Sequence, residues 1–310
     1  MRWATFRPPG GVEDRAGLVV GDALHALPPG THLLDLLADP EGLATAGEKA
    51  RREPARVFRL ADVRPRAPIP RPPSIRDFYA FEAHARTARK GRGLEMDPAW
   101  YEIPVFYFTN PAAVIGPGDD VAIPPGSAEL DYELEVCCVV GPGGSNLRPA
   151  DAGRHIAGFM VMNDWSARDL QRREMKLSLG PAKGKDFATS LGPFLVTPDE
   201  LAPLRKGQAY DLTMTASVNG REYSRGNLAD IYWSFEEMLA YASRGTALVP
   251  GDVIGSGTCG SGCILELSLV HGAEQFPWLR AGDRVELAVE RLGTLASRVV
   301  SGAEVVPLRP

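Results

Sequence analysis

The chain has 310 residues, 44% of them hydrophobic and 24% charged, and a formal net charge of −5. That length suits one large domain with a smaller appendage, the balance is that of an ordinary globular protein, and the small acidic excess leaves no basic footprint for nucleic acid. The opening residues MRWATFRPPGG lack an apolar signal core, and no stretch approaches the roughly 18 consecutive apolar residues of a membrane span, so a cytoplasmic location without membrane contact is expected.

In chain order, FRPPGGVEDRAGLVVGDALHAL reads as short strands joined by turns and HLLDLLADPEGLATAGEKARRE as helical, which predicts a small α+β unit over residues 1–62. The segment 63–73, VRPRAPIPRPP, carries five prolines and three arginines. Proline at that density disfavours helix interior and central strand, so a linker is expected there. In residues 74–310 strand signals dominate, with Gly-Asp turns recurring between aliphatic runs in IGPGDDVAI, LVPGDVIG and LRAGDRVEL. Helical periodicity is confined to four pieces, 78–90, 149–155, 166–175 and 234–243. Strands and helices do not alternate regularly, which disfavours a doubly wound sheet; the expected fold class is α+β, mostly β. Cys137, Cys138, Cys259 and Cys263 form no CxxC pair and read as small buried hydrophobes in a reducing compartment rather than as a zinc site or disulfides.

Four acids and one histidine carry the chemistry. In DYELEVCCVV, Glu133 and Glu135 alternate with Leu134 and Val136, which places both carboxylates on one strand face about 7 Å apart. Carboxylates are the hard oxygen ligands that Mg²⁺ and Ca²⁺ demand, and without a cation two so close would repel and drive one pKa upward. A solvated strand face produces the same alternation, so the pair alone does not establish a metal site. GFMVMNDWSARDLQRREM reads as a buried strand ending at Asp164 and a helix starting near Ser166. An acid at a strand end is well placed as a ligand, and Arg168 and Gln171, three apart, share a helix face from which a substrate is in reach. The alternative is that Asp164 or Ser166 caps the helix and Arg168 pairs with a neighbouring acid. Asp77 and His84 in RDFYAFEAH lie seven apart on, or at the start of, a predicted helix, hence on one face and roughly 10 Å apart along its axis. That spacing lets Asp77 hold a metal while His84 stands one substrate away as general base. His25, His32, His155 and His271 have no such company.

Two glycine-rich motifs are decoys. GSGTCG, residues 255–260, satisfies GxGxxG, but a dinucleotide site needs a helix directly after the glycines, and the following CILELSLV alternates like a strand; a glycine-rich active-site loop is expected instead. LGPAKGKD echoes a phosphate-binding loop, yet its glycine spacing is one short and Asp186 stands where Ser or Thr is required.

From about Ser74 to Leu269 the chain resembles the fumarylacetoacetate hydrolase family. MNDWSARDLQ followed by GKDFATSLGP is the most specific match; ELEV resembles that family's two-glutamate metal strand, DFYAFEAH its aspartate and catalytic histidine, and GTCGSGCILELS its closing segment. The resemblance implies that Asp77, Glu133, Glu135 and Asp164 bind Mg²⁺ or Ca²⁺, with Mn²⁺ a further option. It implies His84 as the base, Glu266 as the group that orients it, and Lys185 as a further catalytic residue. Tyr79, Tyr107, Arg168, Gln171 and Thr258 would face the substrate, and Lys185 and Thr189 would help to fix the metal's surroundings. The fold so implied is a mixed β-sandwich roll, homodimeric, preceded by a variable N-terminal domain. The activity implied is metal-dependent hydrolysis of a C–C bond in a 1,3-diketo acid or acylpyruvate. Met175 departs from the pattern, standing where well-studied hydrolases have a tyrosine that touches substrate, and the stretch from Thr258 to Glu266 is short. Relatives that keep the acids also act as decarboxylases, tautomerases or hydratases of 2-oxo acids, which is the alternative reading, and a non-catalytic metal-binding protein is the third. The retained Asp77 and His84 favour hydrolysis.

Overall fold

The computed structural model describes residues 1–309. Strands β1 (Arg2–Arg7), β2 (Arg15–Val20) and β3 (Ala23–Ala26), helix α1 (Gly42–Arg52) and strand β4 (Arg56–Arg59) form an N-terminal unit of the predicted α+β kind. Gly21, at positive φ, makes the two-residue turn between β2 and β3, a conformation that any side chain would strain. The proline-rich segment is not a free connector: β5 (Arg64–Arg66) pairs with β1, and Ala67 and Ile69 are buried. Pro65 is tolerated because β5 lies at a sheet edge, where one row of N–H groups has no ladder to serve.

The remaining main elements, in order, are β6 (Ile75–Phe78), α2 (Glu82–Lys90), β7 (Phe106–Thr109), β8 (Leu134–Val140), β9 (Ile156–Asp164), α3 (Arg168–Met175) and β10 (Thr189–Val196). After them come β11 (Thr213–Val218), β12 (Arg221–Asn227), α4 (Phe235–Ala242), β13 (Val253–Gly255), α5 (Ile264–His271), β14 (Arg284–Val289) and β15 (Gly293–Val300). One long mixed sheet runs β4-β3-β2-β1-β10-β9-β8-β13-β6-β7, so the N-terminal strands continue the sheet of the larger part. A second sheet, β12-β11-β14-β15 with a short strand at Val121–Ala122, lies against it. Among the described residues no helix is long and apolar enough to cross a membrane.

Strand β8 shows how the layers arise. All seven of its residues are buried, because β9 and β13 flank it and both of its faces are covered. Val136, Cys138 and Val140 enter the core between the two sheets, while Cys137 and Val139 enter the core under the N-terminal unit with Trp3, Leu18 and Leu33. All four cysteines are free and buried, in keeping with the sequence reading.

Two local expectations fail for the same reason. Residues 75–78 form β6 rather than the start of a helix, because Asp77 is paired with Gly255 on one side and Tyr107 on the other. Asp77 and His84 therefore do not share a helix face; helix α2 begins only at Glu82. CILELSLV is not a strand but the helix α5. Its first turn is capped from far away in sequence: both oxygens of Asp131 accept N–H groups, from Ile264 at 2.7 Å and Leu265 at 3.0 Å. Such a cap leaves no local start signal at Cys263. A helix does follow the GSGTCG glycines, so that ground against a dinucleotide site falls, but its N-terminus is already occupied by a carboxylate.

Candidate active site

Several strands of the long sheet carry an apolar stripe that turns polar at one end. On β6 Ile75 is followed two residues later by Asp77; on β8 Val139 and Cys137 lead to Glu135; on β9 Met160 and Met162 lead to Asp164; on β10 Leu191 leads to Thr189. Side chains two apart share a face, so the acids continue the stripe that packs beneath the N-terminal unit. Register brings them level, with Asp77 beside Gly255, Glu135 beside Met162 and Asp164 beside Thr189.

One oxygen from each of Asp77, Glu133 and Glu135 lies within 4.8 Å of the others. Asp164 stands just outside this triad and is tied to it by Lys185, whose Nζ donates to Glu133 Oε2 at 2.5 Å and to Asp164 Oδ2 at 2.7 Å. The Tyr107 hydroxyl lies 3.0 Å from Asp77 Oδ2 and also contacts Asp164, its single proton serving one at a time. Arg168 donates from Nε to Asp131 and from Nη2 to Glu133, both at 2.8 Å, and from Nη1 to Gln171 Oε1 at 3.2 Å. Thr258 Oγ1 is 3.5 Å from Glu135 Oε1. The glycines nearby make room: a Cβ on Gly255 would sit 2.4 Å from Asp77 Oδ1, and the Gly257 N–H donates to that same oxygen at 3.2 Å.

Five buried acids here, Asp131 among them, share only two cations, and their protonation shows it. Burial, then the neighbouring Asp164, pushes Asp77 up to about 8. Burial and Asp77 raise Glu135 far above the usual carboxylate range, and burial raises Asp164 despite Lys185. Burial acts on Glu133 in the same sense, but Lys185 and Arg168 together outweigh it and hold that group low. Glu135 Oε2, Asp164 Oδ1 and Thr189 Oγ1 are buried with no hydrogen-bond partner. Unpartnered buried acid oxygens are costly, and oxygen ligands in excess of positive charge are what a divalent cation takes; the donor set fits such an ion.

His84 lies in the first turns of α2. Its Nδ1 is 2.8 Å from Glu266 Oε2, and both residues are buried. Glu266 is fixed on α5, and its Oε2 also accepts the Gly262 N–H at 3.2 Å. Because a carboxylate accepts only, Nδ1 carries a proton, and in the neutral ring the lone pair is on Nε2. The Tyr79 ring packs edge-on to His84 with centroids 5.4 Å apart, its hydroxyl donating to the Ala85 carbonyl. Burial pushes that phenol up to about 12, so it stays protonated.

These groups open into a cleft of about 560 Å³. Asp77, Glu133, Glu135, His84 and Lys185 line it, as do Tyr79, Tyr107, Arg168, Gln171 and Thr258. Asp164, Thr189 and Glu266 do not line it; Asp164 and Glu266 are hydrogen-bonded to Lys185 and His84, which do. Asp131 is the residue that sequence reasoning missed. It is fully buried, pairs with Arg168 and caps α5, so one carboxylate joins a residue lining the cleft to the helix that holds Glu266. The signal was present as the alternation Asp131, Glu133, Glu135.

A cleft that gathers buried carboxylates, a lysine and a carboxylate-oriented histidine at one sheet end is of the kind divalent-metal enzymes build. The family model described as fumarylacetoacetate (FAA) hydrolase C-terminal matches residues 74–300, and the chain belongs to the fumarylacetoacetate hydrolase family. A fumarylacetoacetase of Oryza sativa subsp. japonica is 32% identical over 267 residues, covering 68% of this chain and 62% of that protein. The mitochondrial oxaloacetate tautomerase FAHD2A of Homo sapiens is 33% identical over 197 residues, covering 64% and 59%. The chain thus spans about 60% of the length of these curated relatives. A solved structure of maleylpyruvate hydrolase from Sphingobium sp. SYK-6, in complex with manganese(II) and pyruvate, matches 98% of this chain and 100% of its own at a TM-score of 0.72 and 25% identity.

Proposed function

We propose that this protein hydrolyses a C–C bond in a 1,3-diketo acid of the acylpyruvate kind, with His84 as general base and a divalent cation as cofactor. The observation that carries the reading is the buried His84–Glu266 pair, which leaves a basic Nε2 on a residue lining the same cleft as the carboxylates. Asp77, Glu133, Glu135 and Asp164 would hold Mg²⁺, Ca²⁺ or Mn²⁺, helped by Lys185 and Thr189. When bound, such an ion polarises a carbonyl and offsets negative charge growing on substrate oxygens, an effect of several kcal/mol.

The residues of the chain do the rest. His84 Nε2 takes a proton from water while Glu266 stabilises the imidazolium. The water oxygen bonds to the acyl carbonyl carbon, the bond to the adjacent methylene carbon breaks, and the electron pair leaves with that carbon. The proton returns to it, and two carboxylic acids result. Gln171, its Oε1 held by Arg168, has its amide N–H groups free for a substrate oxygen; Lys185, kept cationic by Asp164 and Glu133 against the effect of burial, adds positive charge beside it. A cytoplasmic homodimer, with residues 1–62 as a small N-terminal domain, completes the proposal.

The human relative, an oxaloacetate tautomerase, supports a second reading in which the same site moves protons on a 2-oxo acid without water attack. Mass spectrometry of products from acylpyruvates and oxaloacetate, with metal and with chelator, separates the two. Metal-dependent release of two acids supports hydrolysis; an unchanged mass with a changed enol absorbance, and no acid from any diketo acid, sinks it.

A further inference from the structure

The inner end of the cleft is polar, and its outer part carries half-exposed apolar side chains. Val105 from the loop before β7, Met175 at the end of α3 and Leu269 on α5 all line it while remaining 47%, 41% and 48% exposed. Leu265, one turn before Leu269 on α5, continues the apolar wall. Leu269 is held in place: a Cβ on Gly91, which also lines the cleft, would come within 2.5 Å of its Cδ1. Large apolar side chains from three separate elements, left half exposed around one opening, mark a ligand surface rather than chance exposure.

The charges at the mouth say which ligand. Lys185 and Arg168 are committed to the buried acids. Arg172 lines the cleft with its Nη2 on both oxygens of Glu129. Arg92 is the one lining cation without an ion pair among the described residues, and it sits exposed at the rim with Nε on the Ala88 carbonyl. An anionic acyl end would therefore meet apolar wall, with Lys185, Arg168 and Arg172 already paired and only Arg92, exposed to solvent at the rim, left to answer it. Resting on the reading above, we infer that the acyl substituent accepted here is apolar, an alkyl chain or aryl ring packed against Val105, Met175, Leu265 and Leu269, rather than one ending in a second carboxylate.

Calorimetric titration of Mn²⁺-loaded His84→Ala protein measures this without turnover, using acetyl-, butanoyl-, hexanoyl- and benzoylpyruvate and the ω-carboxylated counterpart of each alkyl member. Affinity is expected to rise about 2- to 4-fold per added methylene and to fall at least tenfold on ω-carboxylation. In the same background Met175→Ser with Leu269→Ser should flatten the chain-length series; both positions are half exposed, so folding is not at stake. A flat series, or a preference for the dicarboxylates, overturns the inference. Cleavage assays on the wild-type protein fail or succeed independently: binding that follows chain length without acid release keeps the apolar subsite and removes the hydrolase reading.

Discussion

Arg76 and Asp77 are neighbours on β6, and their side chains leave the strand on opposite faces. On the Arg76 face, Nη1 reaches Ser74 Oγ at 2.7 Å and Asp252 Oδ2 at 3.4 Å, and the guanidinium lies over the Phe108 ring. Asp252 is satisfied on both oxygens, by the Ser74 hydroxyl at 2.6 Å and the Val249 N–H at 2.9 Å. On the Asp77 face, acids outnumber cations, one carboxyl is pushed up to about 8 and acid oxygens lack partners. Both clusters are buried and ionic. The contrast teaches that burial of charge by itself does not mark a site: on the Arg76 face Nε lacks a partner but cation and carboxylate balance one another, whereas the face left short of positive charge is built for something that is added.

The largest expected effect is chemical and confined to the Asp77 side. His84→Ala should lower kcat by 10²- to 10⁴-fold while Mn²⁺ affinity, read by calorimetry, stays within about 2-fold; full activity in that variant would end the general-base assignment. Arg76→Ala should act on stability alone, at a cost of about 3 kcal/mol in denaturant unfolding because Asp252 loses its buried cation, with metal affinity unchanged. A shift in metal affinity would mean that the two faces are coupled. Gly255→Ala drives a methyl into the Asp77 carboxylate and should weaken metal binding roughly tenfold, as displacing a supporting group does at other metal sites.

The smallest effect is a slope. Asp77 keeps its proton up to about 8 in the folded chain against an ordinary value of 3.8, so the folded state binds more protons than the unfolded state in between. Metal-free stability should therefore fall as pH rises through that window, lost as the carboxyl ionises among its neighbours. Saturating Mg²⁺ or Mn²⁺ should flatten the fall, and so should Asp77→Asn, whereas Arg76→Ala should leave it in place. Thermal melts from pH 5 to 8, with chelator and with metal, check all three; a rise in metal-free stability over that range would contradict the charge excess.

Much of this site was legible because it sits on strands and strand ends. The alternation in DYELEVCCVV put Glu133 and Glu135 on one face, and the apolar run before Asp164 marked a strand terminus; both are period-2 patterns that a chain carries locally. The helices were harder. Helix α5 starts where Asp131 caps it from 133 residues away, and β6 is a strand because two partners hold it, so neither is written in the local pattern of its own residues. The proline-rich segment fails in the same way, since its pairing with β1 is a contact between distant segments.

By itself, then, the sequence determined the class of fold and the buried character of the cysteines, and it offered a set of acids with one histidine as candidates, since each depends on composition or on spacing along a few residues. Only the tertiary structure decided that Asp77 lies on a strand opposite Tyr107, that Asp131 ties Arg168 to α5, that Arg168 is spent on buried acids and that half-exposed apolar side chains line the cleft. Those facts depend on which side chains from distant segments meet, and that is set by register and packing across the sheet rather than by any run of neighbouring residues.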